Sequence, residues 1–283
     1  MLNRLDNLLE RVSQAVQTLP GAVELYLFGS AADPQLKDAY SDLDLQVLSA
    51  DYGMSRSDWP WILGRAAPVE LAYPILEKPR ESVFSIIFAG ESPFHKVDIG
   101  LTEKSQETGF IHQVKHKTLL WRQDPPGPGN FSLNRAVYQP EPGTPFHFLI
   151  GELMGSIRYV KARRRGHHLT CWRFLSARLN ALLRSYSWEA GSPRFPTLGL
   201  NTWDFAALDR CLPEADRLSW LGQIDCRTPG AMDQALVALT RLLSERIYPG
   251  WAGEETPAAR PIREMLRFIE QELAAPGTLA AKE

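Results

Sequence analysis

The stretch that decides this chain runs from residue 25 to residue 50, LYLFGSAADPQLKDAYSDLDLQVLSA. An apolar run ends in Gly29-Ser30. A spacer of eleven residues follows, and a second apolar run opens with two aspartates one residue apart, Asp42 and Asp44. Residues 42–48 alternate strictly, so Asp42, Asp44 and Gln46 take one face of a strand while Leu43, Leu45 and Val47 take the other. Two carboxylates that close on one strand face repel each other unless a cation lies between them. Mg²⁺ suits the pair, because it takes oxygen ligands and keeps places for water and phosphate. Glycine after a strand lets the backbone approach an oxyanion, the turn offers N–H groups, and Ser30 adds a hydroxyl. The residues therefore read as a site for a metal and a triphosphate.

Working outward, a third carboxylate stands in HKVDIGL, residues 95–101. A lone Asp98 inside an apolar strand would be costly. If that strand pairs beside 42–48, Asp98 joins the other two aspartates and can hold a second metal. Lys96 lies two residues earlier and shares the face of Asp98, where it either touches phosphates or neutralises the carboxylates. Strands are also expected at 23–28, 68–76, 83–89 and 118–121. Pro74 marks 68–76 as an edge or bulged strand. The segments 83–89 and 95–101 flank the turn-like GESPF and should form an antiparallel hairpin. Residues 2–18 carry Leu5, Leu8, Leu9, Val12 and Val16 at helical spacing, and Pro20-Gly21 stops that helix.

After residue 122 the composition changes. The segment 122–146 holds Pro125, Pro126, Pro128, Pro140, Pro142 and Pro145 and reads as a connecting loop. Beyond it the strong patterns are helical. Leu149, Ile150, Leu153, Met154, Ile157 and Val160 form one apolar stripe; Trp172, Leu175, Leu179, Leu182, Leu183 and Tyr186 form a second. Further stripes centre on Leu236 to Ile247 and on Ile262 to Leu273. The expected architecture is α+β. A mixed-sheet domain fills 1–125, a connecting loop 126–145, a helical bundle 146–275, and a frayed tail 276–283.

The order of these pieces is specific: apolar strand, Gly-Ser, spacer, Asp-x-Asp, alternating strand, then an apolar strand with one Asp. As LFGSAADPQLKDAYSDLDLQVL with KVDIGL it resembles the nucleotidyltransferase superfamily of the DNA polymerase β type. The antibiotic nucleotidyltransferases and the minimal nucleotidyltransferases are nearest in flavour. The likeness covers roughly the first 125 residues. It implies attack of a substrate hydroxyl on the α-phosphorus of a nucleoside triphosphate, with two Mg²⁺ ions held by Asp42, Asp44 and Asp98. It places the nucleotide at Gly29, Ser30, Ser41 and Lys96. It also implies that a glutamate of the helical half serves as general base, for which Glu152 is the candidate. On this view the partners are a nucleoside triphosphate and a small hydroxylated acceptor, an antibiotic among the candidates. Transfer to a protein or an RNA end, and a non-catalytic descendant that binds nucleotide or a partner protein, are the alternatives.

Bulk properties narrow the choice. The chain has 283 residues, 44% hydrophobic and 23% charged, with 31 basic and 33 acidic side chains and a net charge of -2. That balance argues against stable binding to nucleic acid, where a basic surplus supplies most of the affinity. Cys171, Cys211 and Cys226 form no CxxC pair, and neither a signal peptide nor a membrane span is expected, which points to the cytoplasm. The basic run RYVKARRRGHH, residues 158–168, reads as a solvated helix end or as a contact to triphosphate. Within it Arg163 and His168 match a loose R-x4-H spacing of HEPN-type ribonucleases. His112 and His116 read as surface residues, and Trp172 and Trp203 as core or interface.

Overall fold

The computed structural model describes residues 2–106, 116–123, 139–186, 227–253 and 256–275. His112, Trp203, Cys211, Cys226, residues 126–138 and the tail 276–283 lie outside the described residues. The chain divides into two compact units, Met1–Gln139 and Pro140–Glu283.

The first unit is α+β. Helix α1 (Leu2–Gln17) buries Leu5, Leu8, Val12, Ala15 and Val16 against one face of a six-stranded sheet. The strands are β1 (Ala22–Phe28), β2 (Leu43–Ser49), β3 (Val69–Lys78), β4 (Glu81–Phe88), β5 (Val97–Glu103) and β6 (Lys117–Arg122), in the order β3-β4-β5-β2-β1-β6. A short helix α2 (Tyr52–Asp58) is capped by Asp51, whose side chain accepts from the Met54 N–H. The sheet is mixed: β2 and β5 run parallel, while the other neighbouring pairs are antiparallel. The expected hairpin of 83–89 with 95–101 is β4 against β5. Pro74 sits on β3 at the sheet edge, beside a register shift between Pro74 and Leu76. Leu43, Leu45 and Val47 face the core with Ile99 and Leu101, so the alternation read in residues 42–48 sets which side of β2 is buried. Asp42 precedes the strand by one residue.

The second unit is helical in its described residues. Helix α3 (Pro145–Arg164) starts at Thr144, whose hydroxyl accepts from the His147 N–H at 3.1 Å, with Pro145 in the first turn. Helix α4 spans His168–Tyr186, α5 Pro229–Ile247 and α6 Ala259–Ala274. Thr228 caps α5 in the same way, accepting from Ala231 at 3.1 Å. Helix α3 packs against the other three, and all six residues of its expected apolar stripe are buried. The second expected stripe needs a correction at its head: Trp172 is 55% exposed. The buried side of α4 runs through Cys171, Leu175, Arg178 and Leu182, and position 172 lies about 100° round the helix from 171. Among the described residues no helix is long and apolar enough to cross a membrane.

Candidate active site

The parallel pairing of β2 with β5 brings the two acidic segments together. Asp44 and Asp98 are register partners, which puts their strands about 4.8 Å apart. Side chains two residues apart share a face, so Asp42 and Lys96 extend the same arrangement one step further, and the Leu43 N–H donates to the Lys96 carbonyl at 3.2 Å. Three carboxylates and one ammonium thus occupy four neighbouring positions on one sheet face. The row through Asp44 continues in both directions. Ser85 on β4 is the partner of Asp98, and Phe28 on β1 is the partner of both Asp44 and Lys117.

Lys96 is 1% exposed. Its ammonium lies 2.9 Å from Asp42 Oδ2 and bonds Asp98 Oδ2 as well. Burial alone would lower the lysine pKa, but Asp98 and Asp42 outweigh it, and the net shift is upward. The second oxygen of Asp98 accepts from the Ser85 hydroxyl. Sequence reasoning missed Ser85. Its signal was a lone hydroxyl in the apolar run VFSIIF.

Gly29 follows Phe28, whose register partner is Asp44. Its φ is +67°, and a Cβ built there collides with Oδ2 of Asp44. The position is therefore bare for two reasons: the left-handed backbone and the carboxylate beside it. Ser30 lies second in a short 3₁₀ turn (Gly29–Ala32) and donates to Ser41 Oγ at 2.9 Å. Ser41 is fully buried; it donates to Asp38 Oδ1 at 3.1 Å and accepts from the Asp38 N–H at 3.0 Å. The hydroxyl pair joins the two ends of the spacer. Asp38 Oδ1 also caps Tyr40 at 2.9 Å, and the Tyr40 ring meets Phe94 edge-on at 5.3 Å. The spacer is thereby packed on the turn that leads into β5. Asp38 and Phe94 were not singled out in the sequence.

The donor chemistry suits Mg²⁺, with hard carboxylate oxygens on neighbouring strands beside a turn where a Cβ would intrude. Asp42 and Asp44 can hold one such ion. Asp98 stands differently, with one oxygen on Ser85 and the other on Lys96. Among the described residues no three His, Cys, Asp or Glu side chains converge as a metal-holding group.

In the helical unit, Glu152 lies on the polar stripe of α3 with Ser156, Tyr159 and Arg163. Ser156 and Tyr159 are buried between helices, and Glu152 and Arg163 at the two ends of the stripe are partly buried. Arg178 of α4 donates to Glu152 Oε2 at 2.6 Å, to the Glu152 carbonyl, and to Ser156 Oγ at 2.7 Å. Burial lowers the Arg178 pKa, and Glu152 opposes the shift. Tyr159 donates to Asp233 Oδ1 at 2.8 Å, and burial followed by that bond pushes its pKa upward. Arg163 Nε bonds both Asp233 oxygens, and Arg164 binds Glu272. Two arginines of the basic run 158–168 are thus ties from α3 to α5 and α6, while His168 is exposed at the start of α4. His116 is exposed beside Asp33, at 3.1 Å.

No family model matches the chain, and no curated protein matches it. Among solved structures, an aminoglycoside 6-adenyltransferase from Bacillus subtilis is similar over 92% of this chain and 97% of its own, at 17% identity and a TM-score of 0.32.

Proposed function

We propose that this chain transfers a nucleoside monophosphate from a nucleoside triphosphate to a hydroxyl of a small molecule, with aminoglycoside and lincosamide antibiotics as the first candidate acceptors. The observation that carries the reading is the pairing of Asp44 with Asp98 across parallel strands, next to a glycine that must stay bare. Asp42 and Asp44 would hold Mg²⁺, which supplies charge neutralisation on the phosphates and the departing pyrophosphate. The backbone at Gly29 takes phosphate oxygens, and the Ser30 hydroxyl does so by turning its single O–H away from Ser41 Oγ. In the transfer the acceptor oxygen bonds to the α-phosphorus, and the bond from that phosphorus to the bridging oxygen breaks. Pyrophosphate leaves with the electron pair, and the acceptor proton passes to a base or to water. We assign Glu152 as the counter-ion of Arg178 in preference to that base, because its carboxylate is committed within the helical unit.

The test is acceptor-dependent pyrophosphate release with Mg²⁺, each of the common nucleoside triphosphates, and panels of aminoglycosides and lincosamides, followed by cellular RNA and protein. Asp42→Ala, Asp44→Ala and Asp98→Ala should each lower the rate about a thousandfold or more. Transfer confined to RNA or protein would replace the acceptor class, and an Asp44→Ala chain with wild-type turnover would remove the reading altogether.

A further inference from the structure

Lys96 stands where a site with three carboxylates invites a second metal. We propose that the Lys96 ammonium is the resident cation of the Asp42–Asp98 pair, so that this site takes one divalent ion, on Asp42 and Asp44, in place of two. The inference rests on the nucleotidyl-transfer reading for its use in catalysis.

The observations are geometric. Lys96 ranks among the largest fully buried side chains of the described residues. A buried ammonium is costly unless it is paired and hydrogen-bonded, and among the described residues its bonds go to Asp42 and Asp98. Asp98 is the carboxylate that a second ion would need beyond Asp42 and Asp44. Asp98 accepts from Lys96 on one oxygen and from Ser85 on the other, so its carboxylate is already oriented by two donors of this chain.

The lysine is also anchored from its backbone. Its carbonyl receives the Leu43 N–H at 3.2 Å, and it follows directly on the turn Pro93–His95, where buried His95 meets the Ala39 carbonyl at 3.4 Å. The backbone of Lys96 is thus held level with Asp42. An ammonium has three N–H donors. Two of them are aimed at Asp42 and Asp98. In this arrangement Lys96 neutralises charge as a metal would, but it never leaves with the product. Lysine suits that task as a compact point charge on a flexible stem.

The experiment counts Mn²⁺ bound per chain by electron paramagnetic resonance, without nucleotide or acceptor. Its result therefore stands apart from whether transfer is ever observed. Wild type should bind one ion. Lys96→Met should bind two, and Mn²⁺ should raise its melting temperature by several degrees more than it raises that of wild type. Lys96→Met combined with Asp98→Asn should return to one. A Lys96→Met chain that folds only when Mn²⁺ is supplied supports the proposal, and one that Mn²⁺ fails to rescue counts against it. The proposal is overturned if wild type binds two ions or none, if folded Lys96→Met gains no ion, or if the gained ion persists after Asp98→Asn.

Discussion

Replacing Gly29 by alanine should destabilise the chain more than replacing Gly90 by alanine, and the excess should vanish when Asp44 is absent. Both glycines have positive φ, +67° and +79°. A non-glycine residue in that region loses about 1–2 kcal/mol. At Gly90 an added Cβ meets nothing within 4 Å, so that substitution should show the backbone cost alone. At Gly29 the same methyl strikes Oδ2 of Asp44 and stands 3.4 Å from its Cγ. Asp44 sits on β2, which is paired on both sides, so relief must come from turning its side chain. An off-rotamer side chain costs about 0.5–1.5 kcal/mol, which brings Gly29→Ala to about 1.5–3.5 kcal/mol in total. The assay is urea unfolding of wild type, Gly29→Ala, Asp44→Ala, the double variant and Gly90→Ala. The cycle through positions 29 and 44 should return a coupling of about 0.5–1.5 kcal/mol. Because the collision displaces a proposed metal ligand, Gly29→Ala should also weaken Mn²⁺ binding while Gly90→Ala leaves it alone. Equal losses at 29 and 90, or an excess at 29 that survives Asp44→Ala, would refute the reasoning.

Glu152→Ala strands the buried Arg178 guanidinium and should cost about 3–5 kcal/mol in thermal unfolding; a variant that melts like wild type would return Glu152 to consideration as the base. Glu24 is 3% exposed and bonds the Tyr26 hydroxyl at 2.7 Å, Lys104 at 3.1 Å and Arg122 at 3.0 Å. Burial pushes its pKa up, but those three partners prevail and hold it below the ordinary carboxylate value of 4.5. A depressed carboxylate stabilises the fold above its unfolded pKa and loses that contribution as pH falls through the folded value. Glu24→Gln should therefore unfold more easily than wild type at neutral pH, and the difference should shrink toward pH about 3; a difference that is constant with pH would contradict the ion-pair account. The Cys171 thiol is buried and pushed up to about 11, by burial first and Asp233 second. Iodoacetamide near pH 8 should leave it unlabelled in the native chain and label it after denaturation, as read by peptide mass spectrometry; equal labelling in both states would contradict its burial.

The parts legible in the sequence are those with a short period. The alternation SDLDLQVL determines which residues of β2 face the core, and α1 and the apolar stripe of α3 follow from helical spacing alone. Pro74 at an edge with a register shift follows from its missing N–H. Register between distant segments is different in kind. That Asp44 opposes Asp98, and that Lys96 comes level with Asp42, depends on β5 running parallel to β2 after the β3–β4 excursion, and nothing local to KVDIGL encodes that pairing. The polar stripe Glu152, Ser156, Tyr159, Arg163 shows the same limit from the other side. Polarity suggests a solvated face, yet α3 packs against three other helices, and the polar groups of this stripe are satisfied by Arg178, Thr240 and Asp233 on them. A partner eighty residues away leaves no mark on the helix that needs it. Trp172 failed for a smaller reason: one residue of phase error on a helix moves a side chain from the core to the solvent.

The two units each bury a cation against carboxylates, and the choice of cation separates a clamp from a site. Arg178 presents a planar fork, and α3 offers acceptors to match it: Glu152 Oε2, the Glu152 carbonyl and Ser156 Oγ. Several bonds in a fixed geometry tie two helices together, and neither water nor a metal ion can reproduce them. Lys96 brings only a point charge to carboxylates carried on two adjacent strands, and a point charge between oxygens is what a metal ion also provides. The arrangement around Arg178 is specific to arginine, whereas the arrangement around Lys96 is specific to a cation. On that difference we assign the Glu152 carboxylate to the architecture of the helical unit, and the Asp42–Lys96–Asp98 group to the chemistry proposed for Asp44 and Gly29.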